Sequence, residues 1–136
     1  EKGNEYQMYV TSPDGKETRL LIPYIYSFIN APRNPGEWSP DGSKVAFKSN
    51  IDGNWNLYTY NVDTGKRVQL TKKDSNKNLW PDDLNYSSKP ILWSPDGKRL
   101  VYEGVGGIYG IDLDGSNLRQ LTDNPSDEIV DYLGVN

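Results

Sequence analysis

The chain has no cysteine and no histidine among its 136 residues. The first absence excludes disulfides, thiolate catalysis and cysteine-based zinc sites. The second excludes a Ser-His-Asp triad and any histidine-ligated metal centre. Alanine is scarce: only Ala31 and Ala46 occur. No apolar run approaches the roughly 18 residues that a membrane-spanning helix needs, so membrane insertion is not expected. Positive charge is scarce as well. Lysines and arginines number 15 against 19 acidic residues, net charge −4, and they are scattered. That disfavours a nucleic-acid groove, which needs a continuous cationic surface.

In place of these the chain has ten tyrosines, thirteen glycines and nine prolines, a composition suited to strands and turns. It also repeats itself. Trp38-Ser39-Pro40-Asp41-Gly42 returns as Trp93-Ser94-Pro95-Asp96-Gly97. Each copy is followed by a β-branched run, then by a Leu/Ile-Tyr strand (Leu57-Tyr58, Ile108-Tyr109), then by Gln-Leu-Thr (Gln69-Leu70-Thr71, Gln120-Leu121-Thr122). A third, worn copy opens the chain with Met8-Tyr9 and Ser12-Pro13-Asp14-Gly15. An internal repeat decides the architecture before any other consideration.

The repeated phrase has a physical reading. Proline presets φ near −65° in the turn, aspartate bonds nearby backbone N–H groups, and glycine supplies positive φ where the chain leaves. Each copy therefore reads as strand, tight turn, strand. Two more strands follow through Gly-rich or Asp-Gly hairpins. Four antiparallel strands per unit, repeated, describe an all-β fold of β-propeller blades. Trp38 and Trp93 are expected to fill the space between adjacent blades.

The Trp-Ser-Pro-Asp-Gly phrase, the Leu-Tyr strand and the Gln-Leu-Thr strand together resemble the WD-like repeats of TolB-type β-propellers over about residues 6–122. Similar repeats occur in the propellers of prolyl-oligopeptidase-type peptidases and of some polysaccharide lyases. The matching residues build blades and define no site. The resemblance implies a periplasmic or secreted protein that binds partners at one end of its channel; a cytoplasmic setting is the alternative.

The whole chain, 1–136, reads as one propeller segment: a half blade at 6–21, a blade at 36–71, a blade at 90–122, and the start of another strand at 129–136. Two long connections separate the units. Residues 22–37 include the most apolar window, expected to pack as an inner strand and its approach. Residues 72–89 are polar. Loop enlargement on one face is where such folds place binding surfaces. Ten or eleven strands make two and a half to three blades, while a closed propeller takes about four or more. The chain is accordingly expected to be part of a longer propeller or to be completed by self-association as a homo-oligomer.

Few constellations carry chemistry. Asp112-Leu113-Asp114-Gly115 opens like a calcium loop but lacks the later ligands, and reads as a hairpin turn. Asp82 and Asp83 beside Trp80 evoke a carboxylate pair with a stacking platform. Adjacent carboxylates diverge on an extended chain, however, whereas glycosidase pairs face each other across a cleft. Trp55 sits in a hairpin expected at the end away from the inter-blade connections, and reads as a packed tip. No catalytic residue, cofactor or metal is expected. The leading function is protein binding through inter-blade loops, with Tyr24, Tyr26, Trp80, Asp82 and Asp83 as candidate partner-binding residues. One alternative is the propeller of a prolyl-oligopeptidase-type peptidase whose catalytic domain lies elsewhere. It requires a Gly-x-Ser-x-Gly elbow, which this sequence lacks. A carbohydrate-binding propeller using Trp80 with Tyr24 and Tyr26 is the third.

Overall fold

The computed structural model describes residues 4–27, 36–51, 54–72, 90–104 and 106–123, with backbone alone for 4–6 and 22–27. Among them are ten strands and no helix. A hairpin of β1 (Asn4–Thr11) and β2 (Thr18–Ser27) comes first. Next is a sheet of β3 (Gly36–Trp38), β4 (Lys44–Ser49), β5 (Asn56–Asn61) and β6 (Arg67–Gln69). The last sheet holds β7 (Ile91–Trp93), β8 (Arg99–Gly104), β9 (Gly107–Asp112) and β10 (Arg119–Gln120). Both four-stranded sheets are sequential antiparallel meanders.

The repeated phrase builds the same turn three times. Ser39, Ser94 and Ser12 each donate a hydroxyl to the aspartate two residues on, at 2.7, 2.6 and 2.6 Å. Each serine oxygen also accepts the backbone N–H five residues on, from Lys44, Arg99 and Glu17. The aspartates accept the N–H groups of Ser43, Lys98 and Lys16. Gly42, Gly97 and Gly15 leave at φ 71°, 69° and 72°, a region that side chains disfavour.

Gln-Leu-Thr is a second device. Thr71 lies buried, its hydroxyl oxygen accepting the Leu57 N–H at 2.9 Å, its proton going to Asn56 Oδ1 at 3.0 Å. The Gln69 amide closes onto the Thr71 carbonyl at 2.8 Å. In the last sheet Thr122 accepts from Ile108 N–H at 3.3 Å, and Gln120 donates to the Thr122 carbonyl at 2.9 Å. A hydroxyl thus satisfies the N–H of the third strand's second residue where the short outer strand has ended.

Alternation gives each sheet two unlike faces. Val45, Phe47, Tyr58 and Tyr60 pack with Met8 and Leu21 of the opening hairpin. Ala46, Leu57 and Leu70, on the opposite face, pack against Leu100, Tyr102, Tyr109 and Ile111 of the last sheet. The face toward the preceding unit is bulky and the face toward the following unit is small, so the sheets stack as knob on hollow. The stacked pairs Phe47–Tyr58 and Tyr102–Tyr109, at 5.6 and 5.9 Å between ring centres, occupy equivalent positions. Full burial of such side chains stabilises by about 1.5–3 kcal/mol each.

Two expectations change. Strand β2 continues through Ser27 where a connection is expected from Ile22. The pairing with β1 slips between Ile22 and Ile25, and Pro23 falls inside the slip, where its missing N–H leaves no ladder bond broken. Trp93 packs between sheets as expected, but Trp38 is 51% exposed. Among the described residues no inner strand precedes β3, so nothing stands where β3 itself stands for Trp93.

Candidate partner-binding face

Strand direction sorts every connection to one of two ends. Turns 39–43 and 94–98, and hairpins 12–17, 61–66 and 112–118, lie at one. At the other lie the ends of β4, β6 and β8 and the starts of β3, β5 and β9. Trp55, immediately before β5, is therefore at the end where β3 starts and β6 finishes, which corrects the expectation that it lies at the opposite end. In a meander the second and third strands turn back where the fourth strand leaves. Its half-buried ring packs against both the first and the second inter-sheet core.

Of the candidate residues, Tyr24 and Tyr26 fall within β2 and not in a loop, Tyr26 paired with Glu5. Trp80, Asp82 and Asp83 lie outside the described residues, as does the segment 129–136.

The turn end offers structural chemistry. Asp41 is held at a pKa of about 2, first by the Ser43 N–H and then by the Ser39 and Ser43 hydroxyls. Asp14, Asp96 and Asp114 are lowered chiefly by the hydroxyls of Ser12, Ser94 and Ser116. A general acid at neutral pH needs the opposite shift, so these carboxylates serve as turn anchors. Asp112 accepts from Arg99 Nε at 2.9 Å and from Asn117 at 2.8 Å. The Asp112–Asp114 segment is a turn, and among the described residues no cluster of acidic side chains could hold a metal. Burial raises the hydroxyl pKa of Tyr102, with Tyr109 adding to it.

A cleft of about 520 Å³ separates the two blades beside Gln69, Thr71, Lys72, Asp114 and Leu118. Its wall depends on Gly115, which has φ 84° and where a Cβ would stand 2.9 Å from the Leu70 carbonyl oxygen. On the far face of the last sheet Val101, Gly110 and Leu121 line a second cavity of about 160 Å³, rimmed by Arg99, Asp112, Asn117 and Arg119. Sequence reasoning missed this cavity. Its signal was Gly110, standing where the preceding repeat has Thr59.

Stacked antiparallel four-stranded meanders in sequential order define a β-propeller segment with TolB-type repeats. The family model of the dipeptidyl peptidase IV (DPP IV) N-terminal region matches residues 3–106, and the chain belongs to that family. The Tol-Pal system protein TolB of Francisella tularensis (strain WY96-3418) is 27% identical over 131 residues, covering 90% of this chain and 26% of that protein. The crystal structure of TolB from Acinetobacter baumannii superposes with a TM-score of 0.59 at 23% identity, over 87% of this chain and 27% of that one. Pyrococcus horikoshii acylaminoacyl peptidase superposes at 0.56 with 14% identity, over 90% of this chain and 21% of that one. The chain spans between 26% and 36% of the length of the curated relatives it matches first.

Proposed function

We propose that this chain is a non-catalytic, TolB-like binding module that engages a protein partner through the end where the inter-blade connections emerge. The observation that carries this reading is the topology, which puts the end of β6 and the start of β3 at the same end of the sheets as the ends of β4 and β8. The absence of histidine and cysteine and the turn-committed carboxylates fit a surface without chemistry of its own. Similarity to a Tol-Pal system protein supports a protein partner and a periplasmic or secreted setting. Tyr24, Tyr26, Trp80, Asp82 and Asp83 are the residues assigned to contact that partner.

The test is calorimetric titration of the chain with the Tol-Pal system proteins of its own source. Trp80→Ala and the double change Asp82→Ala/Asp83→Ala weaken binding, and Thr64→Ala at the opposite end leaves it unchanged. Absence of binding to every component, or an equal loss from Thr64→Ala, rejects the reading.

The family match favours a second reading, the propeller segment of a prolyl-oligopeptidase-type serine peptidase. A Gly-x-Ser-x-Gly elbow encoded in the same open reading frame decides for it.

A further inference from the structure

Four Asp-Gly steps close turns among the described residues: Asp14-Gly15, Asp41-Gly42, Asp96-Gly97 and Asp114-Gly115. In a flexible chain Asp-Gly is prone to isomerise, because glycine has no Cβ to hinder its nitrogen. The Gly nitrogen attacks the protonated carboxyl carbon of the aspartate. A C–N bond forms, a C–O bond breaks, and the amide proton leaves with the hydroxyl as water. Water then opens the five-membered succinimide at either carbonyl. One of the two products is isoaspartate, with the backbone rerouted through the side chain. Closing the ring has three requirements. The Gly nitrogen must turn toward the side chain, its proton must be free to leave, and the carboxyl must be protonated.

The turns oppose all three. The N–H groups of Gly15, Gly42, Gly97 and Gly115 donate to the carbonyls of Ser12, Ser39, Ser94 and Asp112 at 2.9, 2.9, 2.8 and 2.9 Å. Each bond fixes the peptide plane and engages the proton that would have to leave. The carboxylates are held as well. Asp14 accepts from the Ser12 hydroxyl and the Lys16 N–H. Asp41 accepts from the Ser39 hydroxyl and from both the N–H and the hydroxyl of Ser43. Asp96 accepts from the Ser94 hydroxyl and the Lys98 N–H, and Asp114 from the N–H and hydroxyl of Ser116. Such donors favour the ionised carboxyl, the form that has no hydroxyl to lose. All four carboxyls accordingly ionise below their ordinary value.

We propose that these four turns protect their own Asp-Gly steps, so that isoaspartate forms at Asp14, Asp41, Asp96 and Asp114 only when the turn concerned opens. The protection is local, since every donor to a carboxylate lies two residues from it. Glycine is in the turn for its positive φ and aspartate for its acceptor oxygen. The bonds that make the pair useful there are the bonds that keep it unreactive.

The experiment ages the full chain at mildly acidic pH, folded in buffer and unfolded in guanidinium chloride. Peptide mapping that separates isoaspartyl from aspartyl peptides gives the rate at each position. The folded wild type isomerises about tenfold or more slowly than the unfolded chain at all four, since charge-assisted hydrogen bonds must break on the way to the ring. Ser39→Ala/Ser43→Ala takes both hydroxyls from Asp41. It raises isoaspartate at Asp41 about threefold or more, while Asp14, Asp96 and Asp114 in the same molecules keep their rates. Circular dichroism confirms the fold of the variant. Equal rates in folded and unfolded wild type overturn the proposal. So does a variant in which Asp41 stays as slow as before. A variant in which all four positions accelerate together also overturns it, by assigning the protection to the fold as a whole.

Discussion

The indole N–H of Trp93 donates to the backbone carbonyl of Glu37 at 2.9 Å, joining the inner strands of two blades across 56 residues of sequence. Sheet-on-sheet packing is otherwise apolar and tolerant of sliding. A directed bond between inner strands fixes how one blade sits on the next. Trp38, the same residue one repeat earlier, remains half exposed, so the two copies of one motif differ in environment and in value.

Trp93→Phe keeps most of the apolar contact but leaves the Glu37 carbonyl without this donor. We expect a loss of about 1–2 kcal/mol. Trp38→Phe is expected to stay within about 0.5 kcal/mol, as exposed substitutions do. Urea titration followed by circular dichroism checks both. Equal losses would mean that the tryptophans contribute through their strands and not through the inter-blade bond.

Much of this fold is legible in the sequence because its repeat carries its own hydrogen bonds. Ser-Pro-Asp-Gly specifies a turn whose donors and acceptors all lie within six residues, and Val45-Ala46-Phe47-Lys48 shows its two faces by alternation alone. The extent of β2 is not legible. Pro23 argues for a break, and only its pairing partner reveals a register slip that accommodates it. Trp55 is hard to place because the end of a sheet at which a hairpin lies follows from counting strands, not from local pattern. The candidate site is the least legible part. Tyr24 and Tyr26 read as part of an inter-blade connection, and the cavity beside Gly110 is visible only when that position is set beside Thr59.

Thr71 tests the second repeated device. Its hydroxyl serves the Leu57 N–H and Asn56 Oδ1 in a buried place. Thr71→Val, nearly equal in shape, strands both, and a cost of about 1–3 kcal/mol is expected. At Thr122 the corresponding bond is longer, 3.3 Å, and half-buried, so Thr122→Val should cost less than about 1 kcal/mol. Denaturant midpoints of the two variants should rank in that order; a reversed order would show that the hydroxyl is not what holds the strand end.

Glycine substitutions separate backbone conformation from crowding. Gly15 has φ 72° with open space around it, whereas Gly115 has φ 84° and meets the Leu70 carbonyl. Gly15→Ala should cost about 1–2 kcal/mol, the penalty of a left-handed conformation alone. Gly115→Ala adds displacement of a neighbouring blade's backbone and should exceed it, reaching about 3 kcal/mol. Thermal unfolding of the pair gives the difference directly, and similar values would remove the close approach as a determinant.

Acid should act on the turns. The carboxyls of Asp14, Asp41, Asp96 and Asp114 all ionise below the ordinary value of 3.8, Asp41 at about 2. The unfolded chain therefore binds more protons than the folded chain between those values, and stability falls with falling pH. The contribution is complete above pH 3.8 and is lost as the pH drops toward about 2. Asp41→Asn keeps an oxygen for the Ser43 N–H but does not titrate. It should be less stable than the wild type at neutral pH, with a flatter decline through the acid range, so the two denaturation midpoints converge near pH 2. Parallel declines would assign the acid sensitivity to other carboxylates and leave Asp41 as an acceptor without a linked charge.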